Sequence, residues 1–237
     1  MIYGAILAGG VGTRMHVSTM PKQFLPLGNK PIIIHTLEKM LACNQFRAVY
    51  LGIHPDWMSY MYDLLEKYRL DNDRVRLAPG GETRNDTIFK VIDEINRDYG
   101  ANDDDIIVTH DAVRPFVTLR IIEENIAMAQ KYGACDTVVC ATDTIVRSEN
   151  GEEISDIPDR RFMYQGQTPQ SFKVKMLKEL YEQLTESEKN ILTDACKICV
   201  MKNVPVKLVM GENLNMKITT VNDYQIAKVI VGGMKSD

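Results

Sequence analysis

Three clusters of residues are equipped to handle phosphate chemistry. In Leu7-Ala8-Gly9-Gly10-Val11-Gly12-Thr13-Arg14-Met15, the glycines Gly9, Gly10 and Gly12 leave backbone N–H groups open to an anion. Arg14, and Lys22 of the following Pro21-Lys22-Gln23, add two fixed cations to the same turn. The dinucleotide fingerprint fails because Met15 stands where its third glycine belongs, and the ATPase loop fails because Gly12-Thr13-Arg14 replaces Gly-Lys-Ser/Thr. Two cations beside such a cradle suit a triphosphate. Gly80-Gly81-Glu82-Thr83-Arg84-Asn85-Asp86-Thr87 offers close backbone approach, with Arg84 and Thr87 as polar contacts at a helix start. Thr109-His110-Asp111-Ala112-Val113-Arg114 offers Asp111 as an oxygen ligand for Mg²⁺ and Arg114 as a loop or phosphate contact. Further on, Lys217-Ile218-Thr219-Thr220 places another cation just before the last helical stretch.

The elements that must position these groups read as short apolar runs alternating with stretches of helical period. Strands are expected at Ile2–Leu7, Val49–Ile53, Val75–Ala78, Ile106–Thr109 and Val206–Val209. Helices are expected near Pro31–Ala42, Trp57–Tyr68, Asp86–Arg97, Leu119–Tyr132, Lys173–Leu184 and Leu192–Met201, with a last one from about Val221 capped by Asn222 or Thr220. Strands that are apolar throughout, separated by helices, predict an α/β fold: a single doubly wound, mostly parallel sheet whose ligands gather at the strands' carboxyl ends. The rhythm breaks after Ala141. Thr144-Ile145-Val146, the polar stretch around Asn150-Gly151, and Met163-Tyr164 predict a protruding β-hairpin arm at about 143–165. An extended hairpin needs a partner surface, and a twofold-related copy is the simplest one, so a homodimer through the arm is expected. The whole chain, 1–237, is read as one domain.

Composition narrows the classes. With 237 residues, 45% of them hydrophobic, the chain can bury a substantial core. A net charge of −4 argues against nucleic acid as a partner, and no apolar run is long enough for a bilayer, so a cytoplasmic location is expected. The five cysteines are scattered as reduced thiols. Cys196 and Cys199 form a C-x-x-C pair without a second pair or a nearby histidine, and read as helix packing rather than a zinc or redox site.

Taken in order, Leu-Ala-Gly-Gly-x-Gly-x-Arg-Met, Pro-Lys-Gln, Gly-Gly-x-x-Arg, His-Asp-Ala-x-Arg-Pro-Phe, Thr168-Pro-Gln-x-Phe172, Thr193-Asp-Ala195 and Lys-Ile-Thr resemble the cytidylyltransferases of the methylerythritol-phosphate type, within the nucleotide-sugar transferase, Rossmann-like fold. Within that family the chain resembles the ribitol-5-phosphate branch at Leu7–Gly10, Tyr164–Gln170 and Lys217–Val221. CTP plus D-ribitol 5-phosphate is therefore the expected reaction, giving CDP-ribitol for teichoic-acid or capsule synthesis. The alternative acceptor is 2-C-methyl-D-erythritol 4-phosphate of isoprenoid synthesis. The resemblance implies catalytic roles for Arg14, Lys22 and Lys217, and CTP contacts from Leu7, Ala8, Gly9, Gly10, Gly12, Gly81, Arg84, Thr87, Asp111 and Ala112. It also implies Mg²⁺ at Asp111, and acceptor contacts from Arg114, Thr168 and the partner-subunit arm positions Thr144 and Arg160, or Arg161 beside it.

Overall fold

The computed structural model describes residues 1–10 and 20–233. Gly12 and Arg14 lie outside the described residues. Seven strands form one sheet: β1 (Ile2–Ala8), β4 (Ala48–Ile53), β5 (Val75–Pro79), β6 (Ile106–Asp111), β7 (Ala134–Cys140), β8 (Tyr164–Lys173) and β9 (Lys207–Met210). A small two-stranded piece, β2 (Pro26–Leu27) with β3 (Lys30–Pro31), stands apart from it. The order across the sheet is β5-β4-β1-β6-β8-β7-β9. All these pairings are parallel except those of β8, which runs antiparallel to β6 and β7. The expectation of a mostly parallel sheet holds, and its runs are buried on both faces, as β4 and β6 are throughout.

Helices α1 (Ile32–Leu41), α2 (Met58–Lys67) and α4 (Leu119–Tyr132) cover one face, where Leu37, Met61 and Ile122 join Leu51 and Val108. The opposite face carries α3 (Arg84–Tyr99), α5 (Val174–Glu182) and α7 (Cys196–Met201), with Ile88, Leu177 and Ile198 packed on Tyr3, Ile107 and Phe172. The short α6 (Glu186–Asn190) links the last two. Helix α8 (Val221–Gly233) docks beside β2, where the Tyr224 hydroxyl donates to the Pro26 carbonyl. Thr220 caps α8, accepting from the Asp223 N–H at 3.2 Å while the Asp223 carboxylate accepts from the Thr220 N–H at 2.7 Å.

Two sequence expectations need correction. The helix expected over Leu192–Met201 starts only at Cys196, because the preceding turn ends with Asp194 accepting from the Lys197 N–H at 3.0 Å. The arm is not a regular hairpin. Between β7 and β8 a single antiparallel bridge joins Arg147 to Asp156, around a turn with Gly151 at φ +79°, and a 3₁₀ turn follows at Arg160–Phe162. The Arg147–Glu153 stretch is polar on both sides, so it supplies no cross-strand apolar pairs to extend a ladder. The arm nevertheless grows out of paired strands, since Cys140 opposes Tyr164 at its root.

Candidate active site

Chain order places the site. From β1 the chain builds outward through β4 to β5 and then returns to the other side of β1 as β6, a topological switch whose carboxyl ends form a crevice. An open cleft of about 610 Å³ lies there, lined by the β1 loop, Lys22, Gln23, the β5–α3 loop, Asp111 and Lys217. Its volume suits a small-molecule ligand.

The two glycine loops form one wall by pressing together. A Cβ on Gly9 would lie 2.6 Å from Thr87 Oγ1, and one on Gly80 would lie 2.8 Å from the Gly9 Cα. Only glycine permits that approach. The Gln23 amide locks the turn, donating to the Ala8 carbonyl at 3.1 Å and the Gly10 carbonyl at 3.2 Å. Helix α3 starts with a reciprocal cap: Thr83 Oγ1 accepts from the Asp86 N–H, and the Asp86 carboxylate accepts from the Thr83 N–H. This start directs Arg84, Thr87 and Lys90 into the cleft lining. Thr87 Oγ1 accepts from the Gly81 N–H and donates to the Thr83 carbonyl, so Thr87 builds the wall.

At the tip of β6, Asp111 sits among three cations. Its carboxylate meets Arg84 Nε at 3.2 Å, Arg114 Nε at 3.3 Å and Lys217 Nζ at 2.9 Å. Burial alone would raise its pKa, but Arg84, Lys217 and Arg114 hold the carboxyl well below the usual range. Asp111 is thus ionised at any physiological pH, and the cluster keeps an excess of positive charge facing the cleft. Behind it His110 is fully buried, with Nε2 donating to the Arg114 carbonyl at 3.0 Å and Nδ1 accepting from the Thr168 hydroxyl at 2.9 Å. Burial pushes the His110 pKa down to about 4, so the ring is neutral. Thr168 Oγ1 in turn accepts from the Asp111 N–H at 3.1 Å.

The cleft brings together Leu7, Ala8, Gly9, Gly10, Lys22, Gly81, Arg84, Thr87, Asp111, Ala112 and Lys217. It does not include Arg114 or Thr168. Arg114 is buried, donating to the Asn215 carbonyl at 2.8 Å, and both residues orient Asp111 from behind. Thr144 and Arg160 are exposed on the arm, where Arg160 donates to the Thr142 carbonyl at 2.7 Å and Arg161 pairs with Asp159. Sequence reasoning missed Gln23 and Lys90. The signal for Lys90 was its spacing, three residues beyond Thr87 and six beyond Arg84, on one helix face. No group of three or more His, Cys, Asp or Glu side chains among the described residues gathers to hold a metal. Cys196 and Cys199 are buried free thiols, their pKa values raised by burial, that of Cys199 to about 11, as packing residues rather than reactive ones.

A glycine-walled crevice at the switch point of a Rossmann-like sheet, with lysines from two separate segments beside an ionised aspartate, defines a nucleotidyltransferase. A family model described as 2-C-methyl-D-erythritol 4-phosphate cytidylyltransferase (IspD) matches residues 2–233, and the chain belongs to that family. It is a cytidylyltransferase, with CTP as the family's substrate. Among solved structures, 4-diphosphocytidyl-2C-methyl-D-erythritol synthase of Anaerococcus prevotii is 26% identical, with a TM-score of 0.81 over 98% of this chain and 96% of that one. The 2-C-methyl-D-erythritol 4-phosphate cytidylyltransferases of Francisella tularensis and Thermus thermophilus are 24% and 22% identical, with TM-scores of 0.77 and 0.72. They cover 96% and 97% of this chain and 98% of each of their own, and support the fold alone.

The family model and the names of these relatives overturn the expectation of a ribitol 5-phosphate acceptor and, with it, of teichoic-acid or capsule synthesis. The motif that suggested it, Tyr164–Gln170, lies in β8, where Gln167, Thr168 and Gln170 are buried and the side chains of Gln167 and Thr168 are bonded within the fold. No described helix is long and apolar enough to cross a membrane.

Proposed function

We propose that this chain transfers the cytidylyl group of CTP to the phosphate of 2-C-methyl-D-erythritol 4-phosphate, releasing pyrophosphate. The observation that carries the reading is the cleft itself: a glycine wall for the nucleotide on the β4–β5 side, and Lys22, Lys217, Arg84 and Asp111 gathered on the β6 side. The acceptor phosphate is already a nucleophile. An oxygen of that phosphate bonds to the α-phosphorus in line as the bond to the bridging α,β oxygen breaks, and the pair of electrons leaves with pyrophosphate. No general base is required, so neutral His110 need not take a proton. What the reaction does need is positioning and charge stabilisation.

In this reading Lys22 and Lys217 meet the α-phosphate from the two segments that flank it, and Arg14, outside the described residues, adds a further cation. Asp111 holds Lys217 Nζ at 2.9 Å, fixing the ammonium rather than letting it sample rotamers. A lone carboxylate is a poor resident metal site, but Asp111 would fit Mg²⁺ that arrives on a triphosphate. Bound there, Mg²⁺ would neutralise phosphate charge and orient the leaving group. The acceptor site is completed by a second copy. Apolar Val146, Ile154, Ile157 and Phe162 are exposed on the arm, Phe162 at 72%, and this face seeks a cover that a homodimer supplies. Thr144 and Arg160 would then reach the partner's acceptor phosphate.

Pyrophosphate release from CTP tests the reading, run with Mg²⁺ and a panel of polyol phosphates, with Lys22→Ala as the blank. The expected result is highest kcat/KM with 2-C-methyl-D-erythritol 4-phosphate. A preference for another polyol phosphate would overturn the acceptor, and turnover with UTP or GTP in place of CTP would overturn the nucleotide.

A further inference from the structure

Beside Asp111, on the side of the sheet away from the glycine wall, four buried polar atoms among the described residues lack a hydrogen-bond partner. They are Arg84 Nη1 and Nη2, Asp136 Oδ1 and Gln170 Oε1. Such atoms are rare in folded proteins and each calls for an explanation. These are not scattered. Asp136 on β7 stands opposite Gln170 on β8, so both side chains rise from the same face of the sheet. The carbonyl of Gln170 accepts from Thr109 Oγ1, which links the pair to β6 two residues before Asp111. Arg84, fixed to Asp111 through Nε, is near enough for its charge to lower the Asp136 pKa against burial. Gln170 is 3% exposed, and Asp136 Oδ2 lies 3.7 Å from the position a Cβ would take on exposed Gly166.

The chemistry of the cluster selects its ligand. A phosphate would satisfy Arg84 but would face the carboxyl groups of Asp136 and Asp194. An apolar group would leave all four atoms unpaired. A hydroxyl donates and accepts at once, and vicinal hydroxyls match a guanidinium edge set beside a carboxylate and an amide oxygen. Position agrees. From β1, which carries the nucleotide loop, three strand steps lead to β7, about 14 Å at the usual spacing. The cluster therefore lies beyond Asp111 from the nucleotide, on the acceptor's side. Burial lifts the Asp136 carboxyl to about 6, leaving it an ionised acceptor at neutral pH.

We infer that Asp136, with Gln170 and the outer edge of Arg84, forms the subsite that recognises the hydroxyl end of the acceptor, and that Asp136 is a specificity-determining residue of this enzyme. The inference rests on the proposal that the acceptor is a phosphorylated polyol, but not on which polyol it is. Asp136→Asn and Asp136→Ala are therefore assayed with whichever polyol phosphate of the panel the wild-type chain turns over fastest, beside an analogue of it lacking the hydroxyl farthest from the phosphate.

Losing one hydrogen bond to a charged group should raise the acceptor KM about 10- to 100-fold. The KM for CTP and the CTP affinity by calorimetry should stay within about twofold of wild type. With the deoxy analogue, wild type should fall to the level of the variants and the variants should lose nothing more. Equal rises in both KM values, or a lower melting temperature with the acceptor KM unmoved, would show that the cluster is structural and overturn the inference. Gln170→Glu gives an independent check, since a second carboxylate there should also weaken the acceptor selectively. Failure of methylerythritol phosphate as a substrate would refute the proposed acceptor while leaving this comparison intact.

Discussion

His110 and Asp136 titrate in opposite senses, which makes the stability of this fold a test of its buried electrostatics. Burial takes His110 from an ordinary 6.5 to about 4, so between those values the unfolded chain binds a proton that the folded chain refuses. Stability from His110 is complete above pH 6.5 and lost as the pH falls toward 4. Burial, with Asp194 adding to it against Gln170 and Arg84, takes Asp136 from an ordinary 3.8 up to about 6. There the folded chain binds the proton first, so stability is gained as the pH falls from 6 to 4. Each pH unit over which the states differ by one proton is worth about 1.4 kcal/mol, so each residue contributes on the order of 3 kcal/mol, with opposite signs. Wild type should therefore show a shallow profile between pH 6 and 4.5. The measurement is urea unfolding at half-unit steps, in buffer free of divalent cations, on wild type, His110→Asn and Asp136→Asn. His110→Asn loses the bonds to Thr168 and Arg114 at every pH, which lowers its whole curve, but that curve should climb as the pH falls. The Asp136→Asn curve should drop. Two variants as flat as wild type would refute the reasoning, because neither group would then differ in protonation between the folded and unfolded states.

Lys217→Met should reduce kcat by about 10²- to 10³-fold with little change in the KM for CTP, as loss of one fixed charge at a transition state does, read by pyrophosphate release. Gly81→Ala places a methyl 2.3 Å from Asp86 Cβ and 2.8 Å from its backbone carbon, so the β5–α3 loop must shift. CTP binding by calorimetry should weaken at least 10-fold, with destabilisation of about 1–3 kcal/mol. If the arm completes the partner's site, Arg160→Ala and Lys217→Met should each be inactive alone. An equal mixture after subunit exchange should recover about one quarter of wild-type activity, because half the dimers are mixed and each mixed dimer has one intact site. A mixture that stays inactive while light scattering shows exchanged dimers would remove the arm from the acceptor site.

Much of this architecture was legible because parallel strands buried on both faces must be apolar along their length. Ala48–Ile53 and Ile106–Asp111 announce themselves that way, and Leu119–Tyr132 falls where its period and its following Gly133 place it. β8 was not legible as a central strand. Its Gln165, Gln167, Thr168 and Gln170 find partners only after residues far apart in the chain meet, and no local pattern encodes a strand inserted between two earlier ones. The same non-local bonding shapes the site. Arg114 and Thr168 carry the chemistry of phosphate ligands, yet Asn215, His110 and the Asp111 N–H take up those groups. Asp136 passed unnoticed for the converse reason: an aspartate inside a short apolar run looks incidental until Arg84 and Gln170 are seen around it.

The insertion of β8 also governs how the chain can assemble while it is being made. β1, β4, β5 and β6 pair with one another and can form a sheet as soon as they emerge. β7 emerges next but has no strand to join, since its neighbours β8 and β9 both follow it. At roughly 5–20 residues per second, β7 and the apolar residues of the arm wait unpaired for a second or more while the ribosome delivers β8. Closure then happens in one stroke: β8 fills the edge of β6, recruits β7, and seats Thr168 on His110 and Asp111. A nascent chain stalled in the arm would carry the nucleotide wall without a finished acceptor side, and would present an open β6 edge to any other strand nearby.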